Sequence, residues 1–531
     1  MQNQHAQLPV TSSRTEILEK LAQPKKYDLA IIGGGATGLG VALDAAARGL
    51  SVVLLESDDF AKGTSSRSTK LVHGGVRYLA QGNVPLVYEA VHERATILHN
   101  APHIAQPLAF VMPCYKLWEL PFFGAGLVLY DVLAGKRSLG RTRFLSKART
   151  RETLSNVHPK NLKGGVQYWD GQFDDARLAL GLARTAAQHG ALLVNYCKVT
   201  QLNHSQGRVC GLIAEDKETA QVFKIEADCI INATGVWVDG IRQQDTPDKK
   251  VAEMVAPSQG VHVVVDRAFL PGDQAMIVPK TSDGRVLFAV PWLGKVIIGT
   301  TDTPRHDLSR EPDPFKEELD FILNESKNHL AHAPTRADIK SIWVGLRPLV
   351  KPPENDGGNT KKISRGHTVL VSPSNLVTVT GGKWTTYRAM AIDVLKHCQD
   401  HQLLPPESRS STQDLPLVGS QSGAPVGHKM SDSPGLAAYG DESTFVQSLP
   451  GADRALGGGL TEAMVRFAAR YEYARCVEDV LARRSRLLFL DAHLAETMAE
   501  EVGAILKQET GINPQVEAFK TLARHYLHLP E

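Results

Sequence analysis

The sequence predicts an α/β protein with a parallel-sheet unit near its N-terminus, a β-rich middle and a helical C-terminal part. Three observations support this fold class. Residues 27–38, YDLAIIGGGATG, lead from an apolar run into a helical pattern that ends before a second apolar run. Short β-branched runs separated by Gly, Asp and Pro fill 260–300. Helical periodicity with polar outer positions covers 460–506, and 531 residues suffice for two or three domains.

The first glycine-rich turn predicts a dinucleotide site. Gly33, Gly35 and Gly38 have the G-x-G-x-x-G spacing of a strand-to-helix turn whose backbone meets a pyrophosphate. The next strand ends at Glu56, 18 positions after Gly38, close to the interval at which an acid binds an adenosine ribose. A glycine pattern alone is weak, but strand, glycines, helix, strand and acid in this order predict an ADP-binding unit.

Composition narrows the remaining function classes. With 42% hydrophobic residues, 22% charged residues and a formal net charge of +2, the chain has an ordinary globular composition, and we expect no nucleic-acid partner. The six cysteines form no C-x-x-C pair or zinc spacing, which predicts reduced thiols and no metal site. Residues 1–26 have no apolar signal core, and no window is long and apolar enough for a spanning helix.

Residues 63–79, GTSSRSTKLVHGGVRYL, combine small hydroxyl residues with two adjacent glycines. This composition predicts a loop whose backbone approaches a ligand, and it brings His73, Arg77 and Tyr78 with it. A polar surface loop is the alternative. Such a loop seldom follows a second dinucleotide strand directly.

The same segment resembles the flavin-contacting segment of the FAD-dependent glycerol-3-phosphate dehydrogenases. The resemblance spans about 27–393, weakens afterwards, and extends to a helical run at 466–486. The further matching segments are YWDGQFDDARL at 168–178, INATGVW at 231–237, IIGTTDT at 297–303, GLRPL at 345–349 and GGKWTTYR at 381–388.

The resemblance implies an FAD-binding Rossmann-like fold of the glutathione-reductase/D-amino-acid-oxidase type, with an antiparallel β substrate domain and a C-terminal α-helical domain. We therefore expect a tail over 1–26 and an FAD-binding domain over 27–400. The substrate part is expected at 80–165 and 255–350. A Pro-, Ser- and Gly-rich linker over 401–435 precedes a helical cap domain over 436–531.

The resemblance also implies which residues hold the FAD. The turn at 233–235 returns the chain to the cofactor, although a simple turn is the alternative. Residues 381–386 open a helix whose positive end stabilises the reduced flavin, unless they form only a glycine cap. The cofactor residues are Gly33, Gly34, Gly35, Ala36, Thr37, Gly38, Glu56, Ser65, Ser66, Arg67, Ser68, Thr69, Lys70, His73, Gly74, Gly75, Val199, Ala233, Thr234, Gly235, Trp237, Gly382, Lys383, Trp384 and Thr385.

Between these motifs the pattern predicts a helix over 179–190 and a strand over 192–196. Hairpin strands follow at 208–214 and 221–225, and a separate buried strand at 228–232.

The predicted reaction is a two-electron oxidation of sn-glycerol 3-phosphate to dihydroxyacetone phosphate. A dianionic phosphate needs fixed cations, which Arg77, Arg347 and Lys383 supply, and Tyr78 adds a hydrogen bond. His73 is the predicted base, with a purely structural hydrogen bond as the alternative. The catalytic candidates are thus His73, Arg347 and Lys383.

His262, between valines of a strand, faces either the substrate or the sheet. Three alternatives to the dehydrogenase stay open: an oxidase that reduces oxygen, a relative that oxidises an amino acid, and a flavin protein without turnover.

Residues 107–151 predict the site of membrane contact. An aromatic-rich apolar stretch precedes residues 136–151, which carry seven Lys or Arg and no acid. A core helix with a solvated basic loop is the alternative. The resemblance implies ubiquinone as acceptor and a peripheral location on the cytoplasmic side of a bacterial inner membrane, with a cytoplasmic location as the alternative. It leaves a homodimer open. The apolar residues are Trp118, Leu120, Phe122, Phe123, Leu127, Leu129, Tyr130 and Leu133.

Overall fold

The structure is a computed structural model. It describes residues 9–79, 82–246, 250–351, 366–406, 409–423 and 427–531, except for the side chains of Arg77 and Tyr78.

The cofactor part is a sheet with helices on its faces. Its sheet runs β17-β18-β10-β1-β2-β7, parallel from β18 to β7, with β8 and β9 forming an antiparallel extension on β10. Its elements are α1 (Arg14–Ala22), β1 (Lys26–Ile32), α2 (Ala36–Ala47), β2 (Val52–Leu55), α7 (Asp175–Gln188), β7 (Leu192–Val194), β8 (Cys197–Ser205), β9 (Arg208–Asp216), β10 (Val222–Asn232), α8 (Val238–Asp245), β17 (His367–Val371), β18 (Leu376–Gly381) and α10 (Tyr387–Asp400).

The core of this part explains its strands. The last four residues of β1 and all of β2 are buried, as expected of parallel strands covered on both faces. Helix α2 packs against α10 at Gly40, where a Cβ atom would lie 2.8 Å from a ring carbon of Tyr387. The carboxyl ends of β1, β2, β10 and β18 therefore meet at one edge, where ligands of such sheets bind.

The structure corrects the prediction of separate strands at 221–225 and 228–232. Val222–Asn232 form the single strand β10, because no turn residue interrupts them. The first half alternates exposed and buried residues and pairs with β9, whereas the second half is buried and pairs with β1.

The second sheet runs β15-β11-β14-β13-β12-β4-β6-β3, with β16 on β11 and β5 on β6. Its pairs are antiparallel except for β12 and β4, which are parallel. It extends beyond the predicted 80–165, because β3 and the whole of β6 belong to it. Its elements are β3 (Leu71–Val72), α3 (Val76–Leu79), α4 (Val84–Asn100), β4 (Ala105–Cys114), α5 (Glu119–Ala134), β5 (Arg143–Ser146), α6 (Lys147–Thr153), β6 (Gly164–Phe173), β11 (Val255–Asp266), β12 (Ala275–Val278), β13 (Leu287–Trp292), β14 (Lys295–Gly299), β15 (Thr303–Pro304), α9 (Lys316–His329) and β16 (Ser341–Val350).

The C-terminal part is helical and carries one short hairpin. Its buried side chains form a core that includes Trp292 and Trp343 of the second sheet, so the two parts share one apolar interface. Its elements are α11 (Ser443–Gln447), β19 (Ala455–Gly457), β20 (Leu460–Thr461), α12 (Glu462–Tyr471), a π-helical turn (Asp479–Arg484), α13 (Leu487–Leu490), α14 (Ala492–Thr510) and α15 (Val516–Leu527).

The described residues of 401–435 lack strands and α-helices, but they are not a loose linker. Leu417 and Val418 are buried, with backbone N–H groups that donate to Asn100 O at 2.9 Å and Thr185 Oγ1 at 3.1 Å. Composition alone does not distinguish a loose connection from one that packs on a helix.

All six cysteines are free thiols. Among the described residues, no helix combines the length and the apolar character that crossing a bilayer requires.

Candidate active site

A large cavity lies between the two sheets. Its volume is about 2190 Å³, well above the roughly 300–1,000 Å³ of a usual small-molecule pocket. The glycine-rich turn, the 63–75 loop, the ends of β10 and β18 and the inner face of the second sheet all line it. The cavity therefore has room for a dinucleotide cofactor together with a substrate.

The glycine-rich turn leaves no space for side chains. Gly33 has a φ of +109°, and a Cβ atom there would lie 2.7 Å from Ala233 O. A Cβ atom at Gly38 would lie 1.9 Å from Gly33 O, so the absence of a side chain at Gly38 allows α2 to begin this close to β1. The bare backbone of this turn lines the cavity and fits the pyrophosphate of an FAD.

Glu56 is held beside that turn. Its carboxylate accepts hydrogen bonds from Gly34 N at 2.7 Å and from Asp58 N at 2.9 Å. Burial raises the pKa of Glu56, whereas these two N–H donors oppose the rise by stabilising the carboxylate. Glu56 therefore lies where a ribose hydroxyl can donate to it.

The 63–75 loop ties the three sections of the site together. The Ser65 hydroxyl accepts from Ala36 N at 2.9 Å, at the N-terminus of α2. The indole N–H of Trp384 donates to Ser65 O at 2.8 Å, and the Thr64 hydroxyl donates to Leu346 O at 2.6 Å. One loop thus contacts the dinucleotide turn, the 381–386 turn and the second sheet.

The candidate base His73 is half-buried and lines the cavity. Its backbone N–H donates to Thr385 Oγ1 at 3.1 Å. The next residue, Gly74, donates from its N–H to the hydroxyl of the buried Tyr130 at 2.9 Å, and a Cβ atom at Gly74 would lie 2.3 Å from that oxygen. Hydrogen bonds from the N–H groups of His73 and of the next residue therefore hold the backbone on both sides of the His73 side chain.

A buried carboxylate lies beneath the loop. Asp175 Oδ2 accepts from Ser68 N at 3.0 Å and from Lys70 Nζ at 2.7 Å, and its Oδ1 accepts from Arg486 Nη2 at 3.0 Å. Lys70 and Arg486 also both donate to Ser66 O, at 2.6 and 2.8 Å. Burial lowers the pKa of Lys70 to about 7, although Asp175 opposes this.

Three more ion pairs join the C-terminal part to the residues just before this loop. Asp59 accepts from the guanidinium groups of Arg483 and Arg484. Lys62 donates to Glu478 Oε2 at 2.9 Å. The C-terminal part therefore clamps the 63–75 loop, which we call the cofactor loop, with charged side chains. The helical periodicity of its sequence does not predict this function.

Arg347 is fixed on β16 by acceptors of its own chain. Its guanidinium donates to Gln259 O at 3.1 Å, Thr301 O at 2.9 Å and Thr300 Oγ1 at 3.2 Å, and lies 3.1 Å from Asp302 Oδ1. It still lines the cavity. The side chain is therefore held in one position at the cavity wall, with Asp302 as its charged partner.

His262 is buried and also lines the cavity. Its Nε2 is 2.9 Å from Thr69 Oγ1, and its ring stacks on Trp343 with 4.1 Å between the ring centres. Burial, followed by the charges of Arg347 and Lys70, lowers its pKa well below the usual range. His262 is a neutral histidine that joins the sheet to the loop.

Residues 381–386 were predicted to open a helix, but in the structure a 3-10 turn lies between the two glycines and α10. Gly381 and Gly382 have φ values of +82° and +76°, and a 3-10 turn over Trp384–Thr386 precedes α10. Lys383 is half-buried and lines the cavity. This helix start still faces the cavity, but through the 3-10 turn.

Most of the predicted site residues meet at the cavity, and five do not line it. Gly34, Gly38, Ser66, Lys70 and Gly74 support the site from behind through the contacts described above. The side chains of Arg77 and Tyr78 lie outside the described part of the chain. The predicted residues that line the cavity are Gly33, Gly35, Ala36, Thr37, Glu56, Ser65, Arg67, Ser68, Thr69, His73, Gly75, Val199, Ala233, Thr234, Gly235, Trp237, His262, Arg347, Gly382, Lys383, Trp384 and Thr385.

Sequence reasoning missed several cations that line the cavity, among them Lys62, Arg305 and Arg310. For the two arginines, the available signal was the cluster of basic residues in PRHDLSR at 304–310, directly after IIGTTDT. A basic surface loop has the same composition.

Comparison with known proteins agrees with this geometry. A family model described as FAD dependent oxidoreductase matches residues 28–391, and one described as the C-terminal domain of alpha-glycerophosphate oxidase matches 410–517. The mitochondrial glycerol-3-phosphate dehydrogenase of Homo sapiens is 40% identical over 533 residues, which cover 94% of this chain and 72% of that protein.

Two solved structures extend the comparison. The glycerol-3-phosphate dehydrogenase from Bacillus halodurans complexed with FAD has a TM-score of 0.76 and 30% identity, covering 97% of each chain. The dithionite-reduced L-alpha-glycerophosphate oxidase from Mycoplasma pneumoniae has a TM-score of 0.55 and 18% identity, covering 73% of this chain and 97% of that one, and shares the fold. The predicted fold class and FAD cofactor are confirmed. The chain belongs to the FAD-dependent glycerol-3-phosphate dehydrogenases.

Proposed function

We propose that this enzyme oxidises sn-glycerol 3-phosphate to dihydroxyacetone phosphate at the membrane surface and passes the electrons to a quinone. The observation that carries the quinone proposal is an apolar section of the cavity wall, which we call the arm. Phe110, Met112, Phe123, Leu127 and Phe288 line it, and it reaches helix α5. An apolar ring compound fits such a wall, whereas a charged electron carrier does not.

The substrate end of the cavity is polar. Arg347 and Lys383 line it, and the rigid fork of Arg347 suits the phosphate of a three-carbon alcohol. A carboxylate also suits one arginine, but a dianion is better matched by two cations. We therefore favour a phosphate ester over an amino acid.

The chemical step needs a hydride acceptor and a base. Bound FAD supplies the acceptor, at flavin N5. The hydrogen on C2 of the substrate leaves as hydride, while the proton of the C2 hydroxyl goes to a base within hydrogen-bond reach. His73 is the candidate, because it lines the cavity and its backbone is fixed by Thr385.

Exposed apolar side chains on α5 and on Trp118, which directly precedes it, support membrane docking. Trp118, Phe122 and Leu129 have exposed fractions of 56%, 63% and 47%, whereas Leu127 and Tyr130 are buried in the core. Six of the seven basic residues of 136–151 are exposed, and Arg137 is half-buried. Apolar side chains beside cations favour an anionic lipid surface. We propose the cytoplasmic face of a bacterial inner membrane.

Stopped-flow reoxidation tests the acceptor. After anaerobic reduction by glycerol 3-phosphate, a short-chain quinone analogue is expected to reoxidise the flavin much faster than air-saturated buffer. Faster reoxidation by oxygen would instead identify an oxidase. A Phe123→Asp variant places a charge in the arm and is expected to slow the quinone reaction while the reduction by substrate stays unchanged.

Sedimentation with anionic liposomes tests the docking surface. The wild type is expected to pellet at low salt, and a Trp118, Phe122, Leu129 triple alanine variant is expected to stay in solution. Val222 and Leu370, exposed on the cofactor part, give a matched double alanine control that should still pellet. Equal partitioning of the triple variant and the wild type would exclude this surface.

A further inference from the structure

The segment after β15 leaves the second sheet and crosses to the cofactor part. We call residues 305–311 the latch. Its first residue, Arg305, is nearly buried and donates to the Gln259 side chain and to Asp313 O at 2.8 Å. The first residue of the latch is therefore fixed to strand β11 of the second sheet and to the segment before α9.

The far end of the latch lies on Trp237, whose indole is next to Gly63. The indole N–H of Trp237 donates to Leu308 O at 3.2 Å. The guanidinium of Arg310 lies over the same indole, 4.0 Å from the ring centre. A cation at this distance from an aromatic face is held electrostatically, so two independent contacts keep the latch on Trp237.

Further polar contacts tie the latch to the loops around the cavity. Arg310 Nη2 donates to Ser57 Oγ at 3.3 Å, and Arg310 Nη1 lies 3.5 Å from Asp58 Oδ2. The neighbouring Glu311 accepts from Arg67 Nη2 at 2.6 Å. Arg67 belongs to the cofactor loop, and Ser57 and Asp58 follow the end of β2. The latch therefore contacts both of these segments.

These contacts lie at one end of the cavity. Glu56, Ser57, Trp237, Leu308 and Arg310 all line it, and Glu56 is the acceptor suited to the adenosine ribose. We infer that the latch closes the adenosine end of the cofactor groove and that Arg310 is a further FAD-binding residue. Its guanidinium has five N–H donors, and a cation beside the groove attracts the anionic pyrophosphate.

The charge of Arg310 also supports Glu56. Burial raises the pKa of Glu56, and Arg310 acts in the opposite direction together with the N–H groups of Gly34 and Asp58. Asp58, which also faces Glu56, raises its pKa. Loss of Arg310 thus removes both a proposed donor to the cofactor and a charge that opposes the rise in the pKa of Glu56.

FAD release measures the latch directly. Diluted holoenzyme releases FAD, and the increase in flavin fluorescence gives the dissociation rate. We expect the Arg310→Ala variant to release FAD at least about tenfold faster than the wild type, because contacts that close a bound ligand act mainly on dissociation. Glu311→Gln, which weakens the tie to Arg67, is expected to give a smaller increase.

The control is Arg524→Ala, which removes another exposed arginine, 64% exposed and paired with Glu496 on the C-terminal part. It should release FAD at the wild-type rate. Arg310 itself is 46% exposed, so its replacement should leave the melting temperature of the apoprotein unchanged and reduce the increase that FAD produces. A wild-type release rate in Arg310→Ala would overturn the inference. Equal loss of melting temperature in apoprotein and holoenzyme would also overturn it, since that result describes a structural contact only.

Discussion

The clamp of the C-terminal part on the cofactor loop gives the most quantitative prediction. Arg486 is 1% exposed and donates to Ser66 O at 2.8 Å, Asp175 Oδ1 at 3.0 Å and Ala482 O at 2.8 Å. An Arg486→Met substitution keeps the apolar stem and removes all three bonds, together with the ion pair to Asp174 at 3.4 Å. It leaves the buried carboxylate of Asp175 with Lys70 as its remaining charged partner.

Removing one partner of a buried ion pair costs about 3–5 kcal/mol of unfolding free energy. We expect about 3 kcal/mol, the lower end of that range, because Lys70 continues to neutralise Asp175. The matched control is Arg454→Met on the same part of the chain. Arg454 is 54% exposed and pairs with Glu462 and Glu501, so its loss should cost about 0–1 kcal/mol.

Equilibrium unfolding in urea measures both variants. Tryptophan fluorescence follows the protein and flavin fluorescence follows cofactor release. The Arg486→Met variant should release FAD at a lower urea concentration than either the wild type or Arg454→Met. If Arg486→Met and Arg454→Met were equally stable, within about 0.5 kcal/mol of each other, the clamp would have no energetic role.

Three further predictions follow from the site. Despite burial, Arg483 and Lys62 lower the pKa of Glu478 from 4.5 to about 2, so its carboxylate stabilises the folded state above pH 4.5 and this stability is lost as the pH falls towards 2. The Glu478→Gln variant should therefore lose less unfolding free energy than the wild type over that pH interval, and an equal loss in both proteins would contradict the assignment. Arg347→Lys should bind FAD normally but raise the KM for glycerol 3-phosphate by roughly tenfold, because an ammonium lacks the planar fork; an unchanged KM would place the phosphate elsewhere. His73→Asn should retain its flavin and lower the rate of flavin reduction by about 10²-fold, and full reduction across the neutral pH range would exclude His73 as the base.

The dinucleotide turn was predictable because its constraints are local. Gly33 and Gly38 are close along the chain, and their spacing between a strand pattern and a helix pattern predicts a strand that turns directly into a helix. Glu56 follows from the length of one helix and one strand. The prediction at 221–232 was wrong in one respect, because two halves with different burial patterns belong to one continuous strand.

The clamp and the latch were not predictable from local pattern. Arg486 and Ser66 are 420 positions apart, and Arg310 and Ser57 are 253 apart. In the sequence, Arg486 belongs to a basic helical run and Arg310 to a polar loop, and both compositions are typical of solvated surfaces. Only the packing of the C-terminal part and of the second sheet on the cofactor loop gives these side chains a partner.

Anaerobic titration of the purified holoenzyme tests the central claim most directly. Addition of sn-glycerol 3-phosphate should bleach the oxidised flavin absorbance near about 450 nm in stoichiometric proportion, whereas glycine should leave it unchanged. A flavin that stays oxidised with glycerol 3-phosphate, or that glycine reduces equally well, would contradict the account.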